Sequence, residues 1–401
     1  MTLKILFHTQ YYPPEIGAPQ TRLHELAVRL VRYGFDVTVL TAMPNYPLGK
    51  IYAGYGGFFR EEVIDGVRVL RAGIYPSQSA SFLPRLLSYF SFVFSSLFVG
   101  LLKVPSTDIV ITESPPLFLG ISGYLLSRFK RGLWVFNLSD LWPQSAQELG
   151  IISANGWGYR LSLFLEAFLY KKAWLVSAQS RESVQDVQSR FPTVQTYHLP
   201  NGVDTNFFQP GNVPENNAFR VVYAGLHGLA QGLEQIVHSA QILRGENIEF
   251  VLVGDGPEKQ GLINMARDRG LSNVHFLSPV SKNQVPEILR TADALLVPLK
   301  VHLTGAVPSK LYESMAMGKP VLLVAQGESA SIVHKSGCGM VVTPGDVDAL
   351  AQAILFMKAN PGKSAQMGQN GRQAAVQNHD RDAIAKHFAE FLAQKLQDEN
   401  K

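Results

Sequence analysis

The chain has one cysteine, Cys338, in 401 residues. A single thiol excludes an intramolecular disulfide framework and fits a reducing compartment; flanked by Gly337 and Gly339, it reads as structural. Charge is sparse as well: 17% of residues are charged, and 36 Lys and Arg against 32 Asp and Glu leave a formal net charge of +4. So small an excess, evenly spread, argues against a nucleic-acid partner, although a mildly basic face towards anionic lipid remains compatible with it. No His, Cys, Asp and Glu cluster has metal-ligand spacing, and Asp380-Arg381-Asp382 opens the last helix, where Asp is simply a favoured N-terminal residue. No metal is expected. A G-x-G-x-x-G turn, short-period repeats, low-complexity tracts and heptads are also missing, which counts against a dinucleotide, a solenoid and a coiled coil. The apolar start, Met1 to Phe7, is too short for a signal peptide and runs straight into a turn, so a cytoplasmic protein is expected.

What is present is length and alternation. The chain is long enough for two domains of about 200 residues, and 46% hydrophobic residues predict a compact fold. Leu3 to His8 reads as a buried strand, and Leu23, Leu26, Ala27, Leu30 and Val31 mark an amphipathic helix ending near Gly34. Asp36 to Thr41 is the next strand. Strand, loop with Gly17, helix, parallel strand opens a doubly wound sheet, whose ligands sit outside the carboxyl ends of the strands. Residues 44–59, rich in Gly and aromatics, read as a loop that either holds a sugar ring or simply tucks its aromatics under itself.

Leu86 to Leu102 is seventeen residues without a charge. That is the lower limit for a bilayer span, but a strand at 108–112 follows too closely for the chain to have crossed. The segment is expected to be a helix of the first domain that either packs in the core alone or keeps one face in the core and lays the other on lipid. Leu133 to Leu138 delivers Ser139-Asp140-Leu141 at a strand's carboxyl end. Asp140 there is either a catalytic carboxylate or the N-cap of a helix starting at Leu141. The first domain closes with strands at 174–178 and 195–199. Residues 209–217 are the expected linker, with a hinge. The second half repeats the alternation, with strands near 219–224, 249–253, 273–277, 293–297, 320–324 and 339–342. Gly-rich turns follow the first two of these at Gly225 and Gly254, able to cradle a phosphate.

The richest stretch is Ala306 to Val321, a short helix running into a strand. Pro308 fits the first helical position and Gly318 the left-handed residue that ends a helix. The helix N-terminus, with Ser309 and Lys310, suits a phosphate or diphosphate, and Glu313 one turn on can accept hydrogen bonds from two ribose hydroxyls; the residues alone equally fit a solvated helix with an ordinary surface Lys and Glu.

Pro-Ser-Lys-Leu-Tyr-Glu-Ser-Met-Ala-Met-Gly-Lys-Pro-Val at 308–321 resembles the donor-site signature of retaining GT-B glycosyltransferases of family 4. It is especially similar to the bacterial subgroup that builds surface polysaccharides, including fucosamine transferases. The resemblance implies an α/β fold of two doubly wound parallel-sheet, Rossmann-like domains facing across a cleft. Residues 1–200 would bind the acceptor and 201–375 the nucleotide sugar, with a C-terminal helix at 376–401 packing back on the first domain. It further implies that Glu313 binds the ribose, and that Gly17, Gly225 and Gly254 line the donor pocket. Backbone near Val280 would hold the base. Where the family carries a second Glu, eight residues before the first, this chain has Gly305; where many members carry Arg and Lys, it has Leu226 and Gln231. Asp140 matches an Asp beside the reacting sugar, with Ser139 in place of a His.

The implied reaction moves a sugar, as in a UDP-N-acetyl-amino sugar, to a hydroxyl of a lipid-linked saccharide with retention of configuration. It needs no cofactor or metal: helix N-termini, Gly-loop amides and Lys310 balance the leaving diphosphate. The alternatives are a UDP-sugar epimerase or hydrolase on the same scaffold, or a sugar-nucleotide-binding subunit with little turnover.

Overall fold

Short runs of Val, Ile, Leu and Phe with no polar alternation, bounded by turn residues, suit strands buried on both faces, and such strands belong to parallel sheets covered by helices. In the computed structural model, which describes residues 2–46, 48–77, 82–211 and 217–399, two such sheets form. Each belongs to its own unit: Met1–Asn201 with Arg381–Lys401, and Gly202–Asp380.

The first unit begins with β1 (Lys4–His8), α1 (Ala18–Arg32) and β2 (Asp36–Ala42). A hairpin follows, β3 (Phe59–Ile64) and β4 (Val67–Ala72), and then α2 (Phe82–Lys103), β5 (Ile109–Ser114), α3 (Leu119–Lys130) and β6 (Leu133–Leu138). Next come α4 (Gln144–Glu148), α5 (Trp157–Lys172), β7 (Leu175–Ala178), α6 (Arg181–Arg190) and β8 (Thr196–His198). The strand order is β3-β4-β2-β1-β5-β6-β7-β8, parallel except for β3. Ile5 on β1 lies beside Val37 on one side and Ile109 on the other, so the order reverses between β1 and β5.

The second unit contains β9 (Phe219–Ala224), α7 (Glu234–Ile242), β10 (Ile248–Val253), α8 (Lys259–Asp268), β11 (Val274–Leu277) and α9 (Val285–Arg290). It continues with β12 (Ala294–Pro298), α10 (Ser309–Ala316), β13 (Val321–Val324), α11 (Glu328–Ser336), β14 (Gly339–Val342), α12 (Val347–Ala359) and α13 (Pro361–Asn378). Its sheet, β11-β10-β9-β12-β13-β14, is wholly parallel and reverses between β9 and β12. The last helix, α14 (Arg381–Glu399), returns to the first unit. Its Ala385, Phe388, Leu392 and Leu396 share a core with Leu23, Leu26 and Leu30 of α1. Each Phe or Leu so buried contributes about 1.5–3 kcal/mol, which is why this helix holds so far from the strands it follows in sequence.

Several expectations need correction. The β3–β4 hairpin lies in a stretch where no strand was expected. Its signal was Asp65-Gly66, whose φ values of 48° and 82° make the left-handed pair of a two-residue hairpin turn. The last helix, expected at 376–401, starts at Arg381 and ends at Glu399. The boundary expected at 375/376 falls inside α13, because Ala375 is buried in the second unit's core. Of the expected linker, 212–216 lie outside the described residues. Cys338 is buried against that same core, with its thiol pKa pushed up by desolvation, as a structural cysteine would be.

His8 ends β1 wholly buried, its ring 3.0 Å from Ser96 Oγ of α2, and burial lowers its pKa to about 3. The folded protein keeps this ring neutral while the unfolded chain protonates near pH 6.5, so stability is present above that pH and lost as the pH falls below it. Urea unfolding of wild type and His8→Asn at pH 7 and pH 5 should show the variant losing about 1–2 kcal/mol less over that interval. Equal losses would mean that His8 does not titrate on unfolding.

Candidate active site

In the second unit the sheet reverses between β9 and β12, and the chemistry sought from the sequence gathers outside their carboxyl ends. Two glycine turns meet there. Gly225 N–H donates to Val253 O at 2.8 Å, and His227 N–H donates to Asp255 O at 2.8 Å, zipping the turn after β9 to the turn after β10. A Cβ on Gly254 would strike the Gly225 carbonyl group, its carbon only 2.9 Å away; one on Gly256 would strike the His227 backbone. The glycines are needed for this close approach.

α10 begins at Ser309 after Pro308, which is the N-cap and not the first helical residue; Gly318, with φ 67°, ends the helix as expected. Lys310 reaches from its first turn to the β9 turn. The ammonium nitrogen would lie 2.6 Å from a Cβ on Gly225 and sits 5.8 Å from the centre of the Tyr223 ring. Glu313, one turn on, lies on the same side of the helix and acts electrostatically on Tyr223, whose phenol pKa is raised chiefly by burial. The Tyr223 hydroxyl donates to Leu226 O at 2.6 Å, bracing the turn from beneath. Lys310, Glu313, Gly225 and Gly254 thus converge, and Ser309 joins them at the helix N-terminus. Gln231 closes the short turn after Gly228, and Val280 lies beyond β11, partly buried. Gly305 has φ 75°, a left-handed conformation in which a glutamate would be strained.

Sequence reading missed two members, Tyr223 and His227. The His227 ring is wholly buried, neither nitrogen has a hydrogen-bond partner, and desolvation lowers its pKa to about 4, with Lys259 acting in the same direction. Lys259 itself caps the carbonyls of Gly254 and Leu277 at 2.7 and 2.9 Å. Among the described residues no group of three His, Cys, Asp or Glu is placed to hold a metal.

The first unit presents a different device outside the ends of β1, β5, β6 and β7, a buried polar network. Arg22 of α1 pairs with Glu113 at the end of β5 and donates to Ser139 Oγ at 2.6 Å and Asn201 Oδ1 at 2.8 Å. Ser139 Oγ donates to Glu113, Asn137 donates to Glu113 at 2.5 Å, and Gln179 donates to the Ser139 carbonyl. A buried charge survives only when paired and fully hydrogen-bonded, as Glu113 is. The network fixes Ser139 and, through it, the backbone that carries Asp140. Asp140 is half-buried, and burial raises its carboxyl pKa, with Glu113 adding to the rise and Arg22 opposing it. It is not a helix N-cap: α4 starts at Gln144, with Pro143 before it and no side-chain cap.

Gly17, fully extended, stands at the start of α1, where a Cβ would collide with the Gln20 amide. Glu15 beside it is buried and accepts backbone N–H groups of Tyr12, Asn45 and Tyr46 at 3.2, 2.8 and 2.8 Å, tying the loop after β1 to the loop after β2. In the aromatic loop, Tyr46 packs edge-on to Tyr11 and the Arg60 guanidinium covers Tyr55.

Residues 17–202 match the glycosyl transferase 4-like domain, and residues 204–374 match the glycosyl transferases group 1 domain. The chain carries the two domains of a GT-B glycosyltransferase. It is 28% identical over 385 residues to a protein named as a colanic acid biosynthesis glycosyl transferase, WcaI of Escherichia coli, covering 89% of this chain and 94% of that one. A glycosyltransferase of Pseudomonas aeruginosa, WbjE, is 28% identical over 265 residues, 62% of this chain and 65% of its own. Among solved structures, the fold matches sucrose-phosphate synthase of Thermosynechococcus elongatus with a TM-score of 0.79 at 19% identity, covering 98% of both chains. HepE of Anabaena, solved with UDP and glucose, matches with a TM-score of 0.72 at 20% identity, over 98% of this chain and all of that one. The homology is to glycosyltransferases of bacterial surface polysaccharides.

In this glycosyltransferase, Lys310 and Gly225 compete for one space. Gly225→Ala should therefore displace the ammonium and impair turnover about as much as Lys310→Met. A double variant should be no worse than either single one, because two residues that act as a unit are not additive. Additive losses measured in kcat/KM would mean that the two act separately.

Proposed function

We propose that the enzyme transfers an N-acetyl-amino sugar from a UDP donor to a hydroxyl of a lipid-linked saccharide at the cytoplasmic side of the cell envelope, with retention of configuration. The observation that carries this reading is the convergence of Lys310 and Glu313, on one helix N-terminus, over the Gly225 turn. A helix N-terminus, glycine-turn amides and an ammonium suit a diphosphate, and a carboxylate one turn further on suits the two hydroxyls of a ribose.

Charge on the departing diphosphate is balanced by these groups without a metal, each well-placed donor stabilising the transition state by about 3 kcal/mol. Asp140 is the first unit's candidate to touch the reacting sugar. Burial raises its carboxyl pKa, and a carboxyl group at a strand's carboxyl end can hydrogen-bond a sugar hydroxyl. Backbone around Val280 holds the base, and Gln231, Ser309 and Gly305 complete the donor side. The UDP assignment is supported by HepE, whose structure contains UDP; relatives named as GDP-mannose-dependent, such as one of Mycolicibacterium smegmatis at 29% identity over 220 residues, make GDP the competitor to test. Leu226, Gln231 and Gly305 favour the second reading, a nucleotide-sugar-binding subunit with little turnover.

The thermal midpoint should rise with UDP and not with GDP or ADP, equally in chelator and in magnesium; a rise with GDP alone would transfer the assignment to that base. Glu313→Ala should weaken nucleotide binding by about 1–3 kcal/mol in calorimetry, and unchanged affinity would remove Glu313 from the ribose site. Asp140→Asn should leave donor binding intact while lowering kcat on the order of a hundredfold. Donor binding with no turnover by wild type, across nucleotide sugars and lipid-linked acceptors, would establish the subunit reading.

A further inference from the structure

In the first unit α1 and α14 share the core on one face of the sheet, and the chain leaves the unit through Leu199-Pro200-Asn201. Between α1, the start of α14, β6 and that segment lies a cavity of about 20 Å³. A water molecule needs about 10–15 Å³, so the space takes one small particle and no sugar or nucleotide. Three arginines reach its wall, Arg22 and Arg29 from α1 and Arg381 from α14. They are 9%, 6% and 8% accessible. Guanidiniums held this far out of water are costly unless their N–H groups find acceptors. No carboxylate belongs to the wall, whose other members are Asn137, Asn201 and apolar side chains. The acids that neutralise the arginines lie outside it: Glu113 pairs with Arg22, Glu25 with Arg29 at 3.3 Å and Arg381 at 2.7 Å, and Asp382 with Arg29 at 2.6 Å.

Hydrogen-bonding capacity decides what suits the space. Arg381 donates from Nε to the Asn201 carbonyl at 3.0 Å and from one Nη to Glu25, and its other Nη has no partner among the described residues. Arg22 donates from both Nη groups, to Gln179, Asn201, Glu113 and Ser139, while its Nε has none. The acceptors of the wall are already engaged. Asn137 Oδ1 accepts from Ser177 at 2.7 Å, and Asn201 Oδ1 accepts from Arg22 at 2.8 Å. The two amide nitrogens donate to Glu113 and Gln179. A water molecule would therefore meet N–H groups for its oxygen and no fresh acceptor for its own protons. An anion only accepts, so it completes the N–H groups and leaves nothing unpaired. The cavity also borders the first turn of α14, the positive end of that helix's dipole.

We propose that this cavity binds one halide-sized anion, such as chloride, held by Arg22, Arg29 and Arg381. The anion ties α14 and the Leu199-Pro200-Asn201 segment to the network that carries Ser139 and Asp140, because Arg22 and Asn137 belong to both. No substrate takes part, so the test stands apart from the donor and acceptor assignment. At constant ionic strength, replacing about 150 mM sodium gluconate with sodium chloride should raise the thermal midpoint of the full chain by about 2–4 °C. Arg381→Gln should abolish the difference between the two salts, whatever its own midpoint. Wild-type crystals grown in sodium bromide should show anomalous bromine density among the three guanidiniums, a readout that stands even where the variant fails to fold. Equal wild-type midpoints in chloride and gluconate would overturn the proposal. So would a chloride effect that Arg381→Gln retains in full, or bromide crystals without density in the cavity, which would leave it to water.

Discussion

The close approach of backbone to backbone at Gly225, Gly254 and Gly256 is the constraint on which the second unit's chemistry depends. Only residues without a Cβ let the turn after β9 lie against the turn after β10, and only that contact leaves room for the Lys310 side chain above Gly225. Each of the other parts is then placed by ordinary means: Tyr223 braces the turn through its hydroxyl, Lys259 caps the two carbonyls beneath, and α10 is aimed by burial of Leu311, Tyr312 and Met315. The helix therefore presents Lys310 and Glu313 outward because its opposite stripe is committed to the core.

The first unit relies on a different economy. Glycine closeness matters less there than buried charge: Glu113 and Arg22 neutralise each other, and their spare valences hold Ser139, Asn137 and Asn201. Glu15, satisfied by three backbone N–H groups, and Arg71, wholly buried and bonded to Glu62 and to the carbonyls of Ala42 and Pro13, do the same for the loops after β1 and β2. Irregular backbone beside a sheet must have its polar groups paired, and these side chains pair them. Loops so pinned are rigid enough to hold a carboxylate such as Asp140 in one place.

Much of this was legible locally. Strand runs, the α1 periodicity, the Gly225 and Gly254 turns and the α10 segment with its Gly318 terminator are encoded in neighbouring residues, so they could be read in order. The β3–β4 hairpin was equally local and was missed, although Asp65-Gly66 signalled it. Asp140 could not be resolved between catalytic group and helix cap, because the start of α4 depends on Pro143 and on how the strand ends, not on Asp140 itself.

By itself the sequence determined the α/β alternation, the two parallel sheets and the helix start that brings Lys310 and Glu313 to one side, since each follows from spacing along a few turns of chain. Only the tertiary structure decided that Lys310 comes to rest on Gly225, that Arg22, Glu113 and Ser139 form one network, and that α14 folds back on α1. It decided too that Arg22, Arg29 and Arg381 wall one cavity. These are contacts between residues far apart in the chain, and their energies depend on distances that no local pattern contains.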